Sequence, residues 1–142
     1  MRECKEELGI EESQVNLTGK LGKFIAANNM IIDVFTGRVE LNIEFNPSKE
    51  EVEKLIFLPL DLLVEMEFEE YSINVEFSVY DEHEGKKLII FPAKELKLPE
   101  LYHEGWKGKK RRITLFRYED EVIWGITAAI LEELKRRVTQ EI

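Results

Sequence analysis

The sequence has few of the residues that mark secreted, membrane-spanning or zinc-binding proteins. Cys4 is its single cysteine, which excludes an intrachain disulfide and any zinc site built from several cysteines. No apolar run approaches the ~20 residues that a membrane-spanning helix needs, and no signal-peptide pattern opens the chain. We therefore expect a cytoplasmic protein.

Basic residues are also scarce relative to acidic ones. The 142 residues include 20 Lys and Arg against 29 Asp and Glu, which gives a formal net charge of −9. Nucleic acids and anionic membranes attract proteins through a positive field, so neither is an expected partner. A small anionic substrate is compatible with this charge, because a bound divalent cation inverts the local sign. The length and the 44% of hydrophobic residues predict one globular domain over 1–142.

The N-terminal part predicts a short helix and then two paired strands. Residues 2–8 are predicted to be helical, with Gly9 as a left-handed stop. The segments "QVNLTGKLGKFI" and "NNMIIDVFTGRVEL" predict strands joined by a turn at Asn28–Asn29. The second segment is almost continuously apolar over 30–35, which predicts a strand in the interior of a sheet.

The middle of the chain predicts loops and short strands. "NPSKEEV" is predicted to be an acidic loop, "EKLIFLPL" a strand ending at Pro59, and "DLLVEM" a short helix with Asp61 near its start. "RRITLFRY" predicts a further strand, and "KKLIIFPA" the second strand of a hairpin across "DEHEG". The first strand of that hairpin is "SINVEFSVY", whose alternation places on one face Ile73, Val75, Phe77 and Val79.

The C-terminal segment gives the clearest helical pattern, from about Asp120 to Arg137. Acidic residues at 119–121 would then lie at the positive end of the helix dipole and basic residues at 135–137 at its negative end. Trp124 and Gly125 are expected to pack closely against the sheet. Strands followed by a packing helix predict a mixed α/β domain of the α+β type. The apolar stripe of the helix consists of Ile123, Ile126, Ile130, Leu134 and Val138.

Three acidic residues recur at helical spacing in the opening stretch "MRECKEELGI". A helix places Glu3, Glu6 and Glu7 on one face, where like charges repel by a few tenths of a kcal/mol per pair. Two interpretations follow. A divalent cation compensates the carboxylates, since hard cations prefer oxygen ligands, or the glutamates form a solvated helix face.

The same stretch resembles the second half of the Nudix box, GX5EX7REUXEEXGU, in which U is a bulky apolar residue. Residues Arg2 to Ile10 fit REUXEEXGU without a gap, with Cys4 in an apolar position. "VIWGITAAIL" at 122–131 is similar to the closing helix of the coenzyme A pyrophosphatase branch. "EEVEKLIFLPLDLL" is similar to a segment between box and closing helix in many Nudix proteins. The chain therefore resembles a Nudix hydrolase, and most closely the coenzyme A pyrophosphatases.

The resemblance implies a mixed sheet packed between helices and a metal-dependent enzyme. With Mg²⁺ or Mn²⁺, such an enzyme hydrolyses a nucleoside-diphosphate-linked, coenzyme A-like pyrophosphate bond. The resemblance implies that Glu6 and Glu7 are metal ligands and that Glu3 is a further ligand or a supporting carboxylate. It implies that Arg2 pairs with an acidic neighbour. Glu51, in the acidic loop, is the candidate base or additional ligand.

The chain departs from the family at its start and in its middle. It lacks the glycine and glutamate that open the box and the strands that normally precede them. A truncated product, a start at an internal methionine and a naturally shortened protein are all open explanations. Missing strands would expose a sheet edge, which favours a homodimer or aggregation. The segment 66–110 is longer than expected for the branch and could cover the sheet, form a dimer contact or shape a substrate pocket.

These departures leave two alternatives to an active enzyme. The first is a catalytically inactive Nudix remnant that acts as a binding or oligomerisation module. The second is a ligand-sensing domain that binds a nucleotide derivative without cleaving it.

The remaining reactive side chains are interpreted as structural. Cys4 is predicted to pack as a small hydrophobic residue. His83 and His103 lie in polar loop segments without a partner at ligand spacing, so both are expected to be exposed rather than catalytic. The basic run Lys107–Arg112 predicts a solvated turn leading into a strand rather than a phosphate contact.

Overall fold

The computed structural model describes residues 2–26, 29–40 and 42–140, with side chains from Cys4 onward. The chain divides into two compact units, the first formed by 1–69 with 114–142 and the second by 70–113. Within the described residues, helices combine with several antiparallel sheets, which confirms the predicted mixed α/β class. The assignment of one domain to 1–142 stays a prediction. No helix in the described ranges is both long and apolar enough to cross a membrane.

Helix α1 opens the first unit at Arg2–Leu8, as predicted. It ends at Gly9, which adopts the left-handed conformation with φ of +69°. The N–H of Gly9 donates to the Lys5 carbonyl at 3.1 Å, and the N–H of Ile10 donates to the Cys4 carbonyl at 3.2 Å. These bonds satisfy carbonyls that a helix end otherwise leaves without a partner. Ile10 then enters the core with 3% of its surface exposed.

Strands β1 (Val15–Ile25) and β2 (Ile31–Val39) form the predicted antiparallel pair. Asn29 lies in their connection with φ of +64°, whereas Asn28 lies outside the described residues. The register shifts twice along β1, between Leu17 and Gly19 and between Lys20 and Gly22. Such bulges increase the local twist of the strand pair.

The prediction that β2 lies in a sheet interior is wrong. Within the described chain β1 is its only sheet neighbour, and its residues alternate between exposed and half-buried. Ile31 is 67% exposed and Phe35 52%. The apolar run is interrupted at Asp33, which forms ion pairs with Lys20 and Lys23 of β1. This charged centre marks the face as a solvent-facing one, in spite of the apolar residues around it.

The segment 42–59 contains no helix or strand, so the predicted strand ending at Pro59 is also wrong. Its extended residues find no ladder partner in the described chain, and Phe57 is 65% exposed. The Phe57 carbonyl instead accepts a hydrogen bond from the Tyr118 hydroxyl at 3.2 Å. Helix α2 follows at Leu60–Glu65, as predicted.

Strand β8 (Arg111–Tyr118) has the predicted position and lies between β3 (Glu69–Ile73) and β9 (Glu121–Trp124) in a three-stranded sheet. Helix α3 spans Gly125–Gln140. The predicted helix start near Asp120 is therefore wrong. Residues of β9 pair antiparallel with β8, and this ladder replaces the first helical turn. The acidic residues at 119–121 consequently lie in and beside a strand turn rather than at the helix dipole.

The core of the first unit includes the inner face of β8 and β9. Phe116 is fully buried, its ring lies 5.0 Å from that of Phe68, and its ladder partner is Ile123. Successive strand residues point to opposite faces, so Trp124 points away from Phe116 and is 64% exposed. A Cβ added at Gly125 would meet no atom within 4 Å. The prediction that Trp124 and Gly125 pack closely is therefore wrong.

Helix α3 contacts α2, β1 and β9. Its Lys135 ammonium donates to the Met66 carbonyl, and its Arg137 guanidinium donates to the Leu21 carbonyl at 3.1 Å. Both long side chains thereby tie the last helix to the main chain of earlier elements. Ala128 of α3 is fully buried.

The second unit contains two short antiparallel pairs. Strand β4 (Glu76–Phe77) pairs with β7 (Trp106–Lys107), and β5 (Tyr80–His83) pairs with β6 (Lys86–Ile89). The β5–β6 pair confirms the predicted hairpin. Its two turn residues at 84–85 have φ of +52° and +74°, as the twist-compatible two-residue hairpin turns require.

The prediction of one continuous strand over "SINVEFSVY" is wrong, because β3, β4 and β5 pair with different partners. Ser78 interrupts the alternation. Its hydroxyl donates to the Tyr80 carbonyl at 2.7 Å and accepts from the Tyr80 N–H at 3.0 Å. Such local side-chain bonds compete with a ladder.

An aromatic cluster around Trp106 gives the second unit a small core of its own. Phe77 stacks on Trp106 at 5.1 Å between ring centroids, and Tyr102 meets it edge-on at 5.3 Å. Val79 and Ala93 of the same unit are almost fully buried. Aromatic pairs of this kind contribute about 0.5–1.5 kcal/mol beyond their area burial.

Candidate functional site

Helix α1 carries the acidic residues that the sequence analysis selected. Glu6 and Glu7 lie on α1 with exposed side chains. The side chains of Arg2 and Glu3 lie outside the described residues, so their predicted roles stay predictions. Lys5, the residue before Glu6, forms an ion pair at 3.0 Å with Glu11, which lies just beyond the helix.

The acidic loop is tied to the C-terminal end of α1. The N–H of Asn46 donates to the Leu8 carbonyl at 3.0 Å, and the N–H of Ser48 donates to the Glu7 carbonyl at 3.0 Å. A tight turn follows, in which the N–H groups of Glu51 and Val52 both donate to the Ser48 carbonyl, at 3.2 and 2.8 Å. The loop predicted from "NPSKEEV" is thus confirmed. Its exposed Glu51 lies three residues beyond the residue that binds the main chain of Glu7.

Gly9 permits this close approach. A Cβ at position 9 would lie 2.5 Å from the Asn46 carbonyl oxygen and 3.0 Å from the Asn46 Cβ. Gly9 also has φ of +69°, a conformation that only glycine adopts without strain. Glycine at this position is therefore required both to end the helix and to admit the loop. The sequence around Gly9 could not predict that it admits the loop, because the contact with Asn46 joins residues far apart in the chain.

The candidate residues have the donor chemistry of a magnesium or manganese site. Carboxylate oxygens are the ligands that these hard cations prefer. Among the described side chains, however, no group of three or more His, Cys, Asp or Glu is arranged to hold a metal ion. The side chain of Glu3, the third carboxylate of the predicted set, lies outside the described residues. The assignments of Glu3, Glu6, Glu7 and Glu51 stay predictions.

The described residues of the first unit line at least two open cavities, neither of which was predicted from the sequence. The larger, about 670 Å³, lies where β1 begins and β2 ends, with Asn16, Arg38 and Asn42 in its lining. The smaller, about 380 Å³, lies between 54–57 and 118–121. Polar residues at strand ends are ordinary in sequence, so no local pattern marks these sites.

The smaller cavity contains a close ion pair. The Lys54 ammonium donates to the Glu121 carboxylate. This hydrogen bond is the main reason why the pKa of Lys54 is raised above its ordinary value. Lys54 therefore keeps its positive charge at the mouth of the cavity at neutral pH.

A stronger electrostatic cluster lies on α3, away from the candidate glutamates in sequence. Glu133 accepts hydrogen bonds from Arg136 at 2.6 and 2.7 Å and from Arg137 at 2.8 Å. These bonds, first those of Arg136, lower the pKa of Glu133 from 4.5 to about 2. The cluster stabilises the C-terminal half of the helix through pairs at i,i+3 and i,i+4 spacing.

The remaining reactive side chains differ in their exposure. Cys4 is half-buried. His83 is exposed at the end of β5, as predicted. The prediction that His103 is exposed is wrong: it is half-buried, with Nε2 at 2.9 Å from the Leu98 carbonyl oxygen. The basic run leads into β8 as predicted, and the N–H of Gly108 donates to the Val75 carbonyl at 2.7 Å.

Comparison with known proteins finds similarity to proteins named as Nudix hydrolases. No family model matches the chain. The chain is 27% identical over 139 residues to proteins named uncharacterized Nudix hydrolase NudL from Yersinia pestis (strain Pestoides F) and from Yersinia pseudotuberculosis (serotype O:1b, strain IP 31758). The match covers 98% of this chain and 55% of each relative. The chain thus spans about half the length of the curated relatives it matches.

Proposed function

We propose that the chain is a Nudix-type pyrophosphohydrolase that cleaves a nucleoside-diphosphate-linked small molecule with the help of Mg²⁺ or Mn²⁺. The observation that carries this proposal is the helix–glycine–loop arrangement at 2–10 and 46–52. The segment with the box-like pattern is a helix, it ends on a left-handed Gly9, and a second acidic segment is hydrogen-bonded to its end. The similarity to proteins named Nudix hydrolases supports the same conclusion.

In the proposed reaction, water attacks one phosphorus of the diphosphate and the bridging P–O bond breaks, which gives two phosphate monoesters. Glu6 and Glu7 would hold the divalent ion together with Glu3. When bound, that ion would polarise the phosphoryl oxygens and lower the pKa of a bound water. Glu51 would accept a proton from the attacking water, since its loop is tied to the main chain of Glu7.

The substrate class is proposed to be coenzyme A-like. Its support is the similarity of "VIWGITAAIL" at 122–131 to the closing segment of coenzyme A pyrophosphatases. A divalent cation is part of the proposal because the proposed site consists of carboxylates, which alone would repel a diphosphate.

A matched pair of variants tests the proposal. Glu6→Gln removes a proposed metal ligand, whereas Glu12→Gln removes an exposed carboxylate in the 3₁₀ turn outside the box-like pattern. Loss of supporting groups around a metal typically costs 10–100-fold in activity, so Glu6→Gln should lower turnover by about 100-fold or more. Glu12→Gln should keep wild-type turnover. The assay measures hydrolysis of a diphosphate panel that includes coenzyme A, with Mg²⁺ or Mn²⁺. Wild-type turnover by Glu6→Gln would reject the assignment.

The role of Glu51 requires a separate measurement. Glu51→Gln should lower kcat and remove the acidic limb of its pH profile while leaving Mn²⁺ affinity in calorimetry unchanged, as expected for a base. If Mn²⁺ affinity falls in parallel with kcat, Glu51 is a ligand instead of the base.

A catalytically inactive binding module is the second candidate. The observation in its favour is the outer edge of β2, which is unpaired in the described part of the chain and offers a surface for assembly. This candidate predicts no heat of Mg²⁺ or Mn²⁺ binding and no turnover, together with retained binding of a diphosphate ligand. Metal-dependent hydrolysis by the 142-residue chain would eliminate it.

A further inference from the structure

The outer edge of β2 is unpaired in the described part of the chain. Strand β2 has β1 as its single ladder neighbour there. A two-stranded ribbon is marginally stable on its own in water, and an open strand edge offers a row of main-chain donors and acceptors to another strand. The nine residues of β2 are long for an edge strand that stays without a partner.

The exposed face of β2 is also apolar at regular intervals. Ile31, Phe35 and Val39 are 67, 52 and 40% exposed. Proteins commonly protect an edge strand with charged residues, but the single charge on this face, Asp33, is already neutralised by ion pairs with Lys20 and Lys23 of β1. The charges of those lysines draw the pKa of Asp33 below its ordinary value, chiefly through the hydrogen bond from Lys20.

We propose that β2 is a homodimer contact, in which it pairs antiparallel with β2 of a second copy around a two-fold axis at Phe35. The result is a continuous four-stranded sheet in the order β1-β2-β2-β1. A two-fold interface must be self-complementary, and the sequence of β2 satisfies this condition in one register. With Phe35 opposite its own copy, Ile31 lies opposite Val39 of the second copy, and Asp33 lies opposite Gly37.

The same register is favourable on the other face of the sheet. Val34 lies opposite Thr36 of the second copy, which pairs two β-branched residues. Ile32 lies opposite Arg38, whose aliphatic stem can cover an apolar neighbour. Directly opposed apolar or β-branched pairs each stabilise a sheet by roughly 0.2–1 kcal/mol. No like charges face each other in this arrangement.

Neighbouring registers are less favourable. An axis at Asp33 opposes two aspartates, and like charges directly opposite are destabilising. An axis at Val34 places Asp33 opposite Phe35, and it separates Ile31 from Val39. Of these three registers the one centred on Phe35 is the most favourable, and its self-complementarity argues for a second copy as the occupant.

Mass measurement and a matched variant pair test the dimer. Light scattering should give twice the 16.7 kDa of one chain, with dissociation on dilution. Phe35→Lys should shift the dimer to monomer, because two opposed lysines repel at the axis. Leu17→Lys is the control, since Leu17 is equally exposed at 52% on the same hairpin face but lies on β1. A monomeric wild type, or equal effects of the two variants, overturns the proposal.

Cross-linking tests the register even if Phe35→Lys perturbs the fold. In a chain that carries Cys4→Ser, Phe35→Cys should form a covalent dimer under mild oxidation. Directly opposed strand residues have Cα atoms about 4.5–5.5 Å apart, within the range that a disulfide bridges. Leu17→Cys in the same background should stay monomeric on denaturing gels. Failure of Phe35→Cys to cross-link, or equal cross-linking at both positions, overturns the register. These measurements need no substrate or metal, so their outcome is independent of the proposed hydrolysis.

Discussion

Replacing Gly9 by alanine tests how tightly the acidic loop is held against α1. The new Cβ would lie 2.5 Å from the Asn46 carbonyl oxygen, so the loop or the helix end must move. The left-handed backbone costs alanine about 1–2 kcal/mol. Displacement of the loop also weakens the hydrogen bonds from Asn46 and Ser48 to α1, at about 0.5–1.5 kcal/mol each. Gly9→Ala should therefore lower the free energy of unfolding by about 2–5 kcal/mol.

Gly125→Ala is the matched control for this change. Gly125 has nearly the same φ, +68°, but a Cβ there would meet no atom within 4 Å. Gly125→Ala should therefore lower the free energy of unfolding only by the backbone cost of about 1–2 kcal/mol. Both changes restrict the unfolded chain equally, so the difference between the variants isolates the cost of displacing the loop.

The assay is urea unfolding followed by far-UV circular dichroism, together with amide hydrogen exchange. Gly9→Ala should be less stable than Gly125→Ala by about 1–3 kcal/mol, the worth of two main-chain hydrogen bonds. The amides of Asn46 and Ser48 should lose protection in Gly9→Ala alone. Equal stability of the two variants, with those amides still protected, would refute the tight contact between loop and helix.

Three further predictions concern the core, the electrostatics and the second unit. Phe116→Ala should lower the free energy of unfolding by about 3–5 kcal/mol, measured by thermal unfolding. Trp124→Ala changes an exposed side chain and should alter that free energy by no more than about 1 kcal/mol; a large loss would contradict the exposed face of β9. Glu133 has a folded pKa of about 2 against 4.5, so its stabilisation is present above pH 4.5 and lost as the pH falls toward 2. The stability difference from Glu133→Gln, about 0.5–1 kcal/mol near neutral pH, should vanish over that interval, and a constant difference would argue against the arginine contacts. Gly105→Ala should disrupt the second unit, because the new Cβ would lie 2.3 Å from the Phe77 carbonyl oxygen. The near-ultraviolet circular dichroism signal of the aromatic side chains should fall, and an unchanged spectrum would count against this packing.

The features that sequence predicted well depend on short-range chemistry. Helix α1 and its end at Gly9 follow from apolar spacing and from the backbone freedom of glycine. The hairpin of β5 and β6 follows from the turn residues at 84–85. In each case, the residues that determine the structure lie within a few positions of it.

The features that sequence missed depend on distant partners. Residues 122–124 are a short apolar run, a pattern that occurs in both helices and strands, and only the ladder with β8 makes 121–124 a strand. The apolar run of β2 predicted burial on both faces, but the ion pairs of Asp33 with two lysines of β1 could not be inferred from β2 alone. The candidate site divides in the same way. The acidic loop was predictable as a loop, whereas its hydrogen bonds to the end of α1 were not.

The two tryptophans lie in different units and have opposite surroundings. Trp106 is half-buried among stacked rings in the second unit, and Trp124 is 64% exposed in the first. A water-soluble quencher such as iodide should therefore extinguish the emission of Trp124 well before that of Trp106. The native chain thus contains one tryptophan fluorophore in each unit, and their separate signals can report the unfolding of each unit without any added dye.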